Sequence, residues 1–323
     1  MYLIYSDFVQ TLKNYFGYTE HFISPDLLVP LPVISAARQS DLAPVLGTTD
    51  NMARYVNYSI AMSKTRGFLY FAAANIDGAL FKKVSRQDNW RKDDRIDSAY
   101  QWGEELYKAS RSDFDRGHMV KREDVQWGQT VLEAQNAADS TFFYTNSVPQ
   151  HADLNQKIWL ALEDYILHTE SVPNHLRIDV FTGPVLAETD PVFVTAVNGK
   201  EVKLPVLFWK VVVFTKGDGQ LYRVGFLMGQ RKLLLQDQII RPETAKPTLL
   251  AELFEDFEDA ETYQVNIAAI ETLTGLTFPQ AQDVYQDQRP VKLVLEEVDV
   301  PVTLLDSEIA GTELGYRISN LVL

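Results

Sequence analysis

STFFYTNSVPQHADLNQKIWLALEDYILHTE, residues 140–170, changes its periodicity part-way along, and that change predicts one strand followed by one helix. Up to Pro149 the β-branched and aromatic residues Thr141, Phe142, Phe143, Tyr144, Thr145 and Val148 crowd together, which predicts a strand running into a turn at the proline. Beyond it Leu154, Ile158, Leu162, Tyr165 and Ile166 recur at helical spacing, and Asp153 and Gln156 have the spacing of a capping box. At about 100° per residue, Asn155, Trp159 and Glu163 share one face of this helix, within about 80° of one another. An amide and a carboxylate on one face offer oxygen donors of the kind Mg²⁺ takes. An amphipathic core helix with polar flanks would carry the same residues, and on this segment alone both readings stand.

Working outward, ARYVNYSIAMS (53–63), GFLYFAAANI (67–76), LRIDVFTGPVL (176–186), VKLPVLFWKVVVFTK (202–216) and LYRVGFLMGQ (221–230) read as strands. The last two are joined by the turn signal Gly217-Asp218-Gly219. A helix is expected around 261–274 and further strands from VKLVLEEVDVPVTLL (291–305) onward. The expected fold is α+β, a mixed, mainly antiparallel sheet with helices. Residues 1–40, with Phe8, Leu12, Tyr15 and Phe16 on an amphipathic-looking segment and then Pro25, Pro30 and Pro32, read as an N-terminal arm. The expected division is that arm, a main domain over 41–281, and an acidic C-terminal extension over 282–323.

A net charge of −14 sits badly with phosphate binding until its placement is followed along the chain. From Ala251 onward there are 15 acidic against 3 basic residues, which leaves 29 against 27 before it. Within the first part, Lys82, Lys83, Arg86, Arg91, Lys92 and Arg95 form one basic stretch, and Lys108, Arg111, Arg116, Lys121 and Arg122 another. Solvated mixed-charge surfaces would look the same. The absence of cysteine excludes disulfides, thiolate catalysis and cysteine-type zinc sites, so a metal here takes oxygen or imidazole ligands. The chain opens on no cationic segment with an apolar run and cleavage site, and no stretch approaches the ~20 apolar residues of a membrane span, so a cytoplasmic location without membrane contact is expected.

Asp115-Arg116-Gly117-His118 places a cation, a flexible backbone and an imidazole within one tetrapeptide. Histidine exchanges protons near neutral pH, arginine can grip a phosphate with two hydrogen bonds, and glycine permits close approach. A histidine in a turn is more often structural, and so are the other four, His21, His151, His168 and His175. Trp90 and Trp127 have the faces to stack on bases, although lone tryptophans more often pack.

Together these segments resemble the DNA/RNA non-specific endonucleases, the group of Serratia nuclease and endonuclease G. The resemblance rests on Arg54 in NMARYVNYS, FDRGHM (114–119), TFFYTNSVPQHADLNQKIWLALE (141–163), FTGPV (181–185) and VNIAAIETLTGLTF (265–278). It implies a ββα-metal core in which the hairpin carrying the histidine packs on the helix carrying the asparagine. It makes His118 the general base and Asn155 the direct ligand of a Mg²⁺ (Mn²⁺ as the alternative), with Glu163 acting on the metal through water. Arg54 and Arg116 match phosphate-binding arginines, and Asn146 and Gln150 match positions at the substrate side or in support of the site. Leu167 departs from the pattern, standing where the family often has a further arginine.

The implied reaction is in-line hydrolysis of DNA and RNA phosphodiesters without sequence preference, giving 5′-phosphate ends. Two other readings are weighed: a silent member of the fold that binds nucleic acid or protein, and a phosphodiesterase for small esters. Homodimers occur in the family. An intracellular nuclease also calls for restraint, and 1–40 and 282–323, outside the resemblance, are where an inhibitor or activating partner is expected to act.

Overall fold

In the computed structural model, residues 15–241, 258, 261–301 and 312–323 are described. The strands are β1 (Val33–Ile34), β2 (Met52–Arg54), β3 (Tyr58–Met62), β4 (Leu69–Asp77), β5 (Asp115–His118), β6 (Ser147–Gln150), β7 (Arg177–Pro184), β8 (Leu207–Thr215) and β9 (Leu221–Gly229). They continue with β10 (Thr262–Val265), β11 (Leu276–Thr277), β12 (Gln282–Asp283), β13 (Val291–Lys292), β14 (Leu295–Pro301) and β15 (Thr312–Ile318). Three helices matter below: α1 (Val131–Ser140), α2 (152–171) and α3 (Ile267–Thr274).

Nine strands form one sheet in the order β13-β10-β9-β8-β7-β4-β3-β2, with β12 added beside β9. Every pairing is antiparallel except β12 with β9. The α+β expectation holds, and so does the β8–β9 hairpin, whose register closes with Thr215 opposite Leu221 across the Gly-Asp-Gly turn. The sheet is apolar on both faces because strand side chains alternate. On β8, Trp209, Val211 and Val213 enter the larger core, while Val212 joins a second one with Ile178 and Val180 of β7 and Val224 and Phe226 of β9.

Helix α2 closes this second core with Leu162, Tyr165, Ile166 and Leu167. Its middle, Leu160–Asp164, is α-helical, and the flanking stretches Leu154–Trp159 and Tyr165–Ser171 are wound as π-helix. The capping-box expectation fails because the helix already includes Asp153. His151 supplies the cap instead: its Nδ1 accepts from the Asp153 N–H at 3.2 Å, while its Nε2 faces Asp237 Oδ2 at 2.8 Å. The side chains of Gln156 and Ile158 lie outside the description.

Two further expectations change. The segment around 261–274 is a strand and then a helix, β10 and α3, separated by Asn266, whose side chain accepts from the Ala269 N–H and caps α3. Residues 140–150 are a strand only from Ser147; Tyr144–Asn146 is a 3₁₀ turn. Phe8 and Leu12 fall outside the described residues. From 15 onward the N-terminal segment is stitched to the sheet by Gly17 N–H to the Tyr55 carbonyl at 2.9 Å, by Thr19 N–H to Asn75 Oδ1 at 2.8 Å, and by β1 pairing with β11. At the other end, β14 and β15 pair with each other, as the expected C-terminal strands require; 302–311 lie outside the described residues. Among the described residues no helix is long and apolar enough to cross a membrane.

Candidate active site

β5 and β6 form a separate two-stranded ladder with Asp115 opposite Gln150 and His118 opposite Ser147, and β6 leads directly into α2. Two strands and a helix thus bring the DRGH tetrapeptide to the start of α2, where Asn155 Nδ2 donates to Asp115 Oδ2 at 3.0 Å. The result is a cleft of about 800 Å³, with Arg86, Trp90, Asp115, Arg116, His118, Lys121, Arg122, Asn155 and Glu163 on its walls.

Arg116 and His118, two residues apart on a strand, share a face. The imidazole packs on Trp90 at 4.7 Å between ring centroids and edge-on against Phe142 at 5.2 Å. Its Nε2 is buried without a protein partner. Burial pushes the His118 pKa down to about 3, and the nearby Arg86 charge adds to the effect. His118 is therefore a neutral imidazole at physiological pH, the protonation state a base requires. Arg116 lies between the rings of Trp90 and Tyr107, 5.7 and 5.8 Å from their centroids. Among the described residues no carboxylate pairs with it within 4.0 Å, so its charge is available to an anion.

Glu163 is buried and accepts from Lys210 Nζ at 3.1 Å. Burial raises its pKa, with Lys210 pulling in the opposite direction. Asn155 offers its oxygen, since its nitrogen is committed to Asp115. An amide, two carboxylates and no sulfur make a hard oxygen set, and this set fits a divalent ion such as Mg²⁺ better than a softer metal.

The structure places three of the expected residues off the cleft wall. Arg54, at the end of the edge strand β2, pairs through its guanidinium with Asp50 at 2.5 Å, four residues back. Asn146 and Gln150 are fully buried, which fits support of the site, the second of the two expectations for them. Asn146 clips the loop after His118: Oδ1 accepts from Val120 N–H at 2.9 Å, and Nδ2 donates to the Val120 and Thr141 carbonyls at 3.0 and 3.1 Å. Gln150 fills the space under Gly117, where a Cβ would sit 1.9 Å from its Oε1. Gly117→Ala is therefore expected to destabilise the protein by about 1–3 kcal/mol, the usual cost of overpacking, and to lower activity per folded molecule by tilting β5. Thermal melting and rate per folded molecule would check this; an unchanged melting temperature would mean that Gln150 simply turns aside.

The structure also shows which members of the two basic stretches reach the site. Arg86 and Arg122 stand on the cleft wall from loops without periodicity, and Asp115, inside the tetrapeptide, accepts from Asn155. Lys121 is buried between Asp164 and Glu123. Trp127 packs away from the cleft, with its Nε1–H on the Asn75 carbonyl at 2.8 Å.

The DNA/RNA non-specific endonuclease family model matches residues 42–284. The chain belongs to this family. Membership places it among the hydrolytic endonucleases, and the ββα unit just described lies wholly inside the matched span. A nuclease of Nostoc sp. is 27% identical, over 79% of this chain and 82% of its own length. Mitochondrial endonuclease G of Bos taurus is 26% identical, over 64% of this chain and 73% of its own. An uncharacterised protein of Sinorhizobium fredii is 31% identical over 82% of this endonuclease-family chain, which spans only 40% of that relative's length. A solved EndoG/EndoGI complex, described as showing the mechanism of EndoG inhibition, is similar at 20% identity and a TM-score of 0.49, covering 70% of this chain and 84% of its own.

Proposed function

We propose that this family member hydrolyses phosphodiester bonds in both DNA and RNA, with His118 as general base and a Mg²⁺ ion held by Asn155. The observation that carries the reading is the convergence of an uncommitted imidazole, an unpaired arginine and an oxygen donor set in one cleft. His118 accepts a proton from water as the water oxygen attacks phosphorus, and the bond to the 3′-oxygen breaks on the opposite side, leaving a 5′-phosphate. Arg116 offsets the negative charge that builds on the phosphoryl oxygens. Asn155 would hold the ion, with Glu163 acting through water; when bound, the ion supplies positive charge that lowers the cost of expelling the leaving oxygen. Trp90 and Phe142 keep the imidazole in place and screen it from bulk water.

Nothing in this scheme uses the 2′-hydroxyl, and the cations on the walls recognise phosphate rather than base edges, which supports action on both nucleic acids. Three arginines, Arg86, Arg116 and Arg122, on the walls of a cleft of about 800 Å³ favour a polymer over a small ester. The test is incubation of the purified protein with plasmid DNA and with a structured RNA, in Mg²⁺ and in EDTA. Both substrates should be cut in Mg²⁺, neither in EDTA, and the new ends should carry 5′-phosphate. Cleavage of one nucleic acid only, or cleavage that survives chelation, contradicts the proposal.

A further inference from the structure

Lys210 is an exception to its surroundings. It sits in the middle of β8, 1% exposed, on the strand face shared with Phe208 and Val212, which are apolar and buried. Its ammonium reaches Glu163 Oε1 at 3.1 Å and lies 4.9 Å from the centre of the Trp159 ring, the two positions that flank the middle turn of α2. Burying such a pair is costly, and apolar residues of similar volume usually stabilise a core at least as well, so stability alone does not account for the lysine. Removing one partner is a different matter, because the other charge is then stranded. Glu163 sits on the cleft wall, and the lysine stands behind it within hydrogen-bond reach.

We propose that Lys210 is a positioning residue for the reaction: by its contact with Glu163 it holds that carboxylate aimed into the cleft. The inference rests on the nuclease reading above. Lys210 touches no substrate; it acts through Glu163, as the groups behind a metal site commonly act through those in front.

The test is a double-mutant cycle of wild type, Lys210→Met, Glu163→Gln and the double variant, with kcat and KM on a plasmid substrate, half-saturating Mg²⁺, and melting temperature. Lys210→Met is expected to lower kcat by about 10–100-fold with little change in KM, the usual cost of losing a supporting contact. The double variant should cut no more slowly than Glu163→Gln alone, and should melt higher than Lys210→Met because the Glu163 carboxylate is no longer there to be stranded. Losses that multiply, or a Lys210→Met protein with wild-type kcat, overturn the proposal. Should Lys210→Met fail to fold, comparing the double variant with Glu163→Gln decides by itself: equal rates support the inference and a further fall refutes it. A wild type that cuts nothing removes the nuclease reading and this inference together, whereas a cutting wild type with multiplying losses removes this one alone.

Discussion

His118→Ala is expected to slow cleavage of plasmid DNA and of RNA by about 10²–10⁴-fold, the range that one positioned general base contributes. The residue has no substitute nearby: His168 is engaged with Glu123 at 3.3 Å, and His151 is spent capping α2. The pH dependence sharpens the expectation. With the free-enzyme pKa at about 3 instead of 6.5, the neutral base persists well into acid, so kcat/KM should not fall on account of His118 between pH 8 and about pH 5. A limb near pH 6.5 would show that the imidazole is not desolvated as the packing of Trp90 and Phe142 implies.

Stability should move in a linked way. Between about pH 3 and 6.5 the unfolded chain holds a proton on this histidine that the folded chain lacks. The group is therefore neutral in its effect above pH 6.5 and destabilises the fold increasingly as the pH falls toward 3. The alanine variant, free of that penalty, should lose less stability than wild type on acidification, as chemical unfolding at several pH values would measure.

Which parts of this site could be read from residues alone follows from how local the signals are. The DRGH tetrapeptide and the 153–166 stripe are short, dense patterns that marked the histidine and the helix, while their joining through a hairpin came from the family resemblance. Runs rich in β-branched and aromatic residues likewise made β7, β8 and β9 legible, and the turn between β8 and β9 with them. Arg54 marks the limit of a strand pattern, because an arginine beside strand residues looks the same whether it faces a cleft or, as here, pairs with Asp50 four residues back. Arg86 and Arg122 were marked only as members of basic stretches, because a loop has no period to say which way its side chains point. Lys210 was hidden for the opposite reason: in FWKVVVF it falls within a strand that reads as apolar, and only the packing of α2 on that face reveals its partner. The β10–α3 boundary did carry a signal, the Asn266 cap, which a run of apolar residues on either side obscured.

Asn155→Ala is expected to have the other large effect, a loss of at least about 100-fold at fixed Mg²⁺, with the half-saturating Mg²⁺ concentration shifted upward. Magnesium keeps most of its water and relies on one or two protein groups and the substrate phosphate, so the loss of one oxygen is a large share of what the protein offers. Chelation alone cannot identify the ligand; titration of the variant with Mg²⁺ can. Asn155→Asp separates two contributions of the same side chain. It keeps an oxygen donor, but it loses the N–H that meets Asp115 Oδ2 at 3.0 Å and sets a second carboxylate against the first. The aspartate variant should therefore recover part of the rate at high Mg²⁺, where the added cation offsets the repulsion, and the alanine variant should not. If Asn155→Ala kept the wild-type rate and the wild-type Mg²⁺ dependence, the ion would have to be held elsewhere. The role of α2 would then reduce to presenting Glu163.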